Sequence, residues 1–143
     1  MYISFALFAD AANLSQEGKL NILGVFDAVQ VAELPAVHPR TTLVLRLKAE
    51  ASDAGTHRLA LRWMSPEGDE LWSTEGEINV GAPSDATGEV DLPLIAALDL
   101  PLDEPGEYAM EIALDGEAAA ELPLHVRTAT PSFELSTNGA LPS

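Results

Sequence analysis

Alternation of apolar and polar residues with a period of two constrains this chain more than any other feature. From Thr42 to Ala49, Leu43, Leu45, Leu47 and Ala49 share one face, Arg46 and Lys48 take the other, and Val44 breaks the rule. From Arg58 to Trp63, Leu59, Leu61 and Trp63 alternate with Arg58, Ala60 and Arg62. From Glu107 to Leu114, Tyr108, Met110, Ile112 and Leu114 alternate with Glu107, Ala109, Glu111 and Ala113. From Ala118 to Arg127, Ala118, Ala120, Leu122, Leu124 and Val126 alternate with Glu121, His125 and Arg127. Successive strand side chains point to opposite faces, so each stretch reads as a strand with one buried and one solvated face. That is the habit of antiparallel sheets.

Four more segments complete a set of about eight strands. Tyr2 to Ala11 and Leu20 to Val31 read as more fully buried, with Phe5, Leu7, Ile22, Leu23, Val25 and Phe26. Glu70 to Val80 and Glu89 to Leu100 are the others. A short turn of helix is expected at most over Ala96 to Leu100, because Pro93 and Pro101 bracket it. The expected fold is all-β, an antiparallel two-sheet β-sandwich, with immunoglobulin-like, C2-like and jelly-roll orders all open. At 143 residues the chain fits one domain of the usual ~50–250. Residues 1–127 are assigned to the sandwich. Residues 128–143 are read as a flexible C-terminal tail, with docking of Phe133 and Leu135 as the alternative.

The turns agree with the strands. Asp53-Ala54-Gly55, Ser65-Pro66-Glu67-Gly68-Asp69, Asp103-Glu104-Pro105-Gly106 and Asp115-Gly116 lie between the alternating runs. A two-residue Asp115-Gly116 hairpin would set Met110 beside Glu121. A three-residue loop with Gly116 in the left-handed conformation instead pairs Ile112 with Ala118, Met110 with Ala120 and Tyr108 with Leu122. Parity therefore favours the bulged three-residue loop. The Pro66 turn leaves two registers open. One pairs Trp63 with Leu71, the other buries Trp72 with Ile78 and Val80, and one tryptophan is expected to be partly exposed.

Charge restricts the partners. Seven basic against 23 acidic residues leave a formal charge of −16. Nucleic acid and anionic membranes bind through Lys and Arg, so neither is expected. The only basic cluster, Arg46, Lys48, Arg58 and Arg62, reads as outward strand charge. The chain has no cysteine, which excludes disulfides and thiolate chemistry and fits a reducing compartment. Ile3 to Ala9 is apolar, but no basic residue precedes it and Asp10 follows, so it does not read as a signal peptide. No run approaches the ~20 apolar residues of a membrane-spanning helix. A cytoplasmic location is expected.

No catalytic constellation stands out. His38, His57 and His125 lie in different segments without ligand spacing, and each reads as a surface or turn residue. His38 is expected to cap its loop by hydrogen bonding. Ser15, Ser65, Ser73 and Ser84 lack a nucleophile-elbow context. There is no phosphate-binding loop or dinucleotide fingerprint. The acids Asp53, Asp69, Asp85, Asp91, Asp103 and Glu104 suggest Ca²⁺ ligands at sandwich ends, but match no calcium loop, and Asp is itself a turn former. No catalytic, cofactor or metal residue is assigned.

Leu14 to Asp27, then Leu34-Pro35-Ala36-Val37-His38-Pro39, then Gly106-Glu107-Tyr108 through Asp115-Gly116-Glu117, resemble a family of small bacterial proteins of unknown function. The resemblance runs to about Arg127. It implies a bacterial origin and one compact domain, and brings no catalytic residue. The functional expectation is a non-catalytic interaction or structural module acting through protein–protein contacts, as a homo-oligomer or with another protein. The alternative is a small-ligand or divalent-cation (Ca²⁺) binding domain. No enzyme activity is expected.

Overall fold

A computed structural model describes residues 1–83 and 88–129. Among them are nine strands: β1 (Tyr2–Leu14), β2 (Leu20–Phe26), β3 (Ala28–Val31), β4 (Ala36–Glu50), β5 (Gly55–Met64), β6 (Glu70–Val80), β7 (Glu89–Leu102), β8 (Gly106–Leu114) and β9 (Glu117–Thr128). One 3-10 turn covers Ala51–Asp53. The strands form two sheets, in the orders β2-β1-β4-β7 and β3-β9-β8-β5-β6. All pairs are antiparallel except β3 with β9. The fold is all-β and sandwich-like.

The inner faces are those the alternation marks. Leu43, Leu45, Leu47 and Ala49 of β4 are buried. Phe8, Leu100 and Leu102 join Leu43 and Leu45 in one apolar cluster with Leu61, Trp63, Tyr108, Met110, Ile112, Leu124 and Val126. Trp63 lies stacked on Tyr108, ring centroids 5.3 Å apart, and donates its indole N–H to the Pro101 carbonyl at 2.9 Å. That bond ties the five-stranded sheet to the other sheet through the core.

Several expectations need correction. Leu20 to Val31 is not one buried strand. It breaks at Asp27, so that β2 edges the four-stranded sheet and β3 edges the five-stranded one, which raises the count from eight to nine. Ala96 to Leu100 is extended within β7, hydrogen-bonded along β4, because cross-strand pairing outweighs an ambiguous apolar run. Val44 breaks alternation because its outer face is also covered. It is fully buried between its register partners Leu7 and Ile95. Gly18, Leu20 and Ile22 of the β1–β2 hairpin line one cleft with Phe5, Arg46 and Pro93.

The β8–β9 turn has two residues, with Leu114 opposite Glu117, so the three-residue loop is overturned. Asp115 and Gly116 both have positive φ, +52° and +85°, as a type I′ turn requires. A bulge between Ile112 and Ala113 then restores parity. Ile112 meets Ala120 and Met110 meets Leu122, so inward residues still face inward ones. At the Pro66 turn, a bulge sets Trp63 opposite Trp72, with Trp72 half-buried and Trp63 fully buried. The strand end expected at Arg127 lies further on. β9 reaches Thr128, and the Ala129 N–H bonds the Val31 carbonyl at 2.8 Å. Phe133 and Leu135 lie outside the described residues.

Candidate protein-docking edge

Each sheet has two edge strands, and unpaired strand edges invite pairing with other chains. β7 carries Pro93 and Pro101, which have no N–H to offer. β6 carries Glu70, Glu75 and Glu77. β3 is only four residues long. These are the usual ways of blunting an edge. β2 has none of them. Its sequence, Leu20-Asn21-Ile22-Leu23-Gly24-Val25-Phe26, holds no charge and no proline. Among the described residues its one strand partner is β1.

β2 is also where apolar surface meets water. Leu23 is 71% exposed and Val25 61%. They lie two residues apart, opposite Ala11 and Ala9 of β1, with Gly24 between them. Ile22 and Phe26 are half-buried. Phe26 stacks on Phe8 at 6.1 Å and meets the His38 ring at 5.5 Å, which anchors the base of the strand. His38 in turn hydrogen-bonds the Thr41 hydroxyl across an irregularity within β4, so it braces a strand rather than capping the loop expected there. Gly24 sits at φ +73°, and a Cβ there would run into the Asp10 carboxylate. The left-handed backbone favours glycine here, and any Cβ would also displace the Asp10 side chain.

The hairpin tip is built by side-chain capping. The Ser15 hydroxyl oxygen accepts the N–H groups of Glu17 and Lys19 at 3.2 and 3.1 Å. Gly18 donates to the Ser15 carbonyl. The Ser65 turn repeats this arrangement. Its hydroxyl accepts from Glu67 and Asp69, and Gly68 donates to the Ser65 carbonyl. Ser15 and Ser65, neither of them a nucleophile candidate, are turn-closing groups.

The other singled-out residues are engaged locally. Arg46 and Lys48 both reach Asp91, at 3.3 and 2.9 Å. Asp91 is held below the ordinary carboxylate range, chiefly by the Lys48 hydrogen bond. Arg58 pairs with Glu75, and Arg62 bridges Glu70 and Glu111. The basic cluster is thus divided between the two sheets, with every member beside a carboxylate. His57 bonds the Asp115 carboxylate and the Asp53 carbonyl, each at 2.6 Å. Its pKa is raised, mainly by the Asp115 bond and then by the Asp53 carbonyl. His125 is exposed, 3.6 Å from Glu107.

Of the acids proposed as calcium ligands, Asp69, Asp103 and Glu104 lie near one another, but among the described residues no three such side chains are grouped so as to hold a metal ion. Asp53 accepts the Glu50 N–H and lies 3.0 Å from the Met1 ammonium. Asp91 faces its two cations on an outer sheet face. Asp103 and Glu104 hold the Tyr108 hydroxyl through their backbone N–H groups, each at 2.9 Å. The Glu104 carboxyl is pushed up, first by burial and then by Glu67, Asp103 and Asp69. Ser84 and Asp85 lie outside the described residues. Among the described residues, no helix is long and apolar enough to cross a membrane.

No curated protein matches the chain. A family model described as "Family of unknown function (DUF6941)" matches residues 4–127, the span that includes every strand but the ends of β1 and β9. The chain belongs to this family of unknown function.

Proposed function

We propose that the chain is a non-catalytic interaction module, acting through protein–protein contacts at the free edge of β2. The observation that carries this reading is the exposure of Leu23 and Val25 on a strand edge with no charge and no proline. Covering each side chain would contribute up to about 1.5–3 kcal/mol. The strand's free N–H and C=O groups would supply directional bonds, as in β-augmentation. The strand order supports an immunoglobulin-like sandwich, with β3 parallel to β9 and a Tyr108 corner at the start of β8. The formal charge of −16, and the pairing of Arg46, Lys48, Arg58 and Arg62 with carboxylates, favour a protein partner over nucleic acid or an anionic membrane. The partner is expected in the cytoplasm. No observation among the described residues favours the calcium alternative.

The test is capture from the native host with tagged wild type and with Leu23→Lys as baits, beside a sizing run. Wild type is expected to retain a stoichiometric protein, itself or another, that the variant loses. A wild type that runs as a lone monomer and retains nothing would overturn the reading.

A further inference from the structure

We infer that the occupant of the β2 edge is a second copy of this chain, paired strand to strand about a two-fold axis through Leu23. The inference rests on β2 being the docking edge and names what docks there.

Symmetry restricts the register. Antiparallel pairing of identical strands places the two-fold perpendicular to the sheet, so each residue keeps its own face. Directly opposed residues must share a face, and so their numbers must sum to an even value. Three such registers are centred on the middle residues of the strand, Ile22, Leu23 and Gly24. Centred on Ile22, Glu17 falls opposite Asp27 of the second copy, two like charges. Centred on Gly24, Lys19 falls opposite Val29 and Asp27 opposite Asn21, so neither charge meets its opposite. Centred on Leu23, Lys19 falls opposite Asp27 at both ends of the ribbon. Between them Leu20 meets Phe26, Asn21 meets Val25, and Leu23 meets its own copy.

This register pairs all seven residues of β2. It brings the two most exposed large apolar side chains of the described surface, Leu23 and Val25, into the paired strands. Its end pairs are opposite in sign on a chain that is otherwise strongly acidic. Among the described residues Lys19 makes one ion pair, an exposed 3.5 Å contact with Glu17, and Asp27 is exposed. Opposite-charge cross-strand pairs each contribute roughly 0.2–1 kcal/mol, and like charges directly opposed are unfavourable.

Sedimentation equilibrium of the full chain reads the answer. Wild type is expected to be a dimer in reversible exchange with monomer. Leu23→Lys sets two ammonium groups against each other on the axis, on a side chain the fold barely uses. It should raise the dissociation constant at least about tenfold. Lys19→Asp alone and Asp27→Lys alone each create two like-charge contacts and should weaken the dimer roughly tenfold. The double variant Lys19→Asp/Asp27→Lys restores both pairs and should recover the wild-type constant. Failure of the double variant to recover overturns the register, and a dimer untouched by Leu23→Lys overturns the edge. A wild type that stays monomeric overturns the second copy. If that monomer still captures another protein which Leu23→Lys loses, the docking-edge reading stands with a different partner. If it captures nothing, both fail.

Discussion

Single residues hold the corners of the fold. The Tyr108 hydroxyl accepts the Asp103 and Glu104 N–H groups and lies 2.6 Å from the Glu104 carbonyl, to which it donates. Its ring is fully buried against Trp63. Tyr108→Phe keeps the packing but strands two N–H groups, so it should lower stability by about 1–3 kcal/mol in urea unfolding. His57 is a second such point, a clasp between the turn at Asp53 and the hairpin at Asp115. Its folded pKa is raised above 6.5, so the stability it contributes is full below that value and is lost as pH rises through the folded pKa. Asp115 is depressed from 3.8, first by the His57 bond, so its share is present above 3.8 and is lost as pH falls through the depressed value. The clasp is complete between those limits. From about pH 6 to about pH 9 the wild type should lose melting temperature, and His57→Gln should lose measurably less. Parallel curves would mean that the imidazole charge does not support the fold.

At the scale of elements, the two serine-closed turns allow a matched comparison. Both hydroxyls accept two N–H groups, but Ser65 is buried and Ser15 is only half so. Water can replace the Ser15 oxygen more readily. Ser65→Ala should therefore cost about 1–2 kcal/mol and Ser15→Ala roughly half that, read as shifts in denaturation midpoint. Pattern made the faces of β4, β5, β8 and β9 legible, because period two states which side needs covering. What covers it is a separate matter. Leu20 to Val31 carries the apolar run of a more fully buried strand. In the fold Leu23 and Val25 are exposed, and that mismatch marks the candidate edge. Val44 departs in the opposite sense, since its burial between Leu7 and Ile95 of neighbouring strands has no local signature. In β9 the parity of facing residues was legible but the loop length was not, because a two-residue turn with a later bulge serves parity as well as a three-residue loop does.

For the whole molecule, the governing quantity is the formal charge of −16. A folded chain of this length has a radius of gyration of about 14–15 Å. In 0.01 M salt the screening length is about 30 Å, so every carboxylate acts on every other across the domain. In 0.15 M salt it falls to about 8 Å, and only neighbours interact. Unfolding separates the like charges, so self-repulsion lowers stability most at low salt. The favourable contacts are short. Arg62 lies 2.9 Å from Glu70 and 3.2 Å from Glu111, and Lys48 lies 2.9 Å from Asp91. Exposed pairs of this kind contribute only about 0–1 kcal/mol each, so what screening removes from them is small. The long-range term should win. Melting temperature should rise by a few degrees between about 10 and about 150 mM NaCl, measured by calorimetry at neutral pH. A fall over that range would mean that the Arg62 and Lys48 networks outweigh the repulsion of 23 acids. Arg62→Gln would then abolish the salt dependence, whereas if repulsion dominates it should steepen the rise, because it removes a positive charge from an already acidic surface.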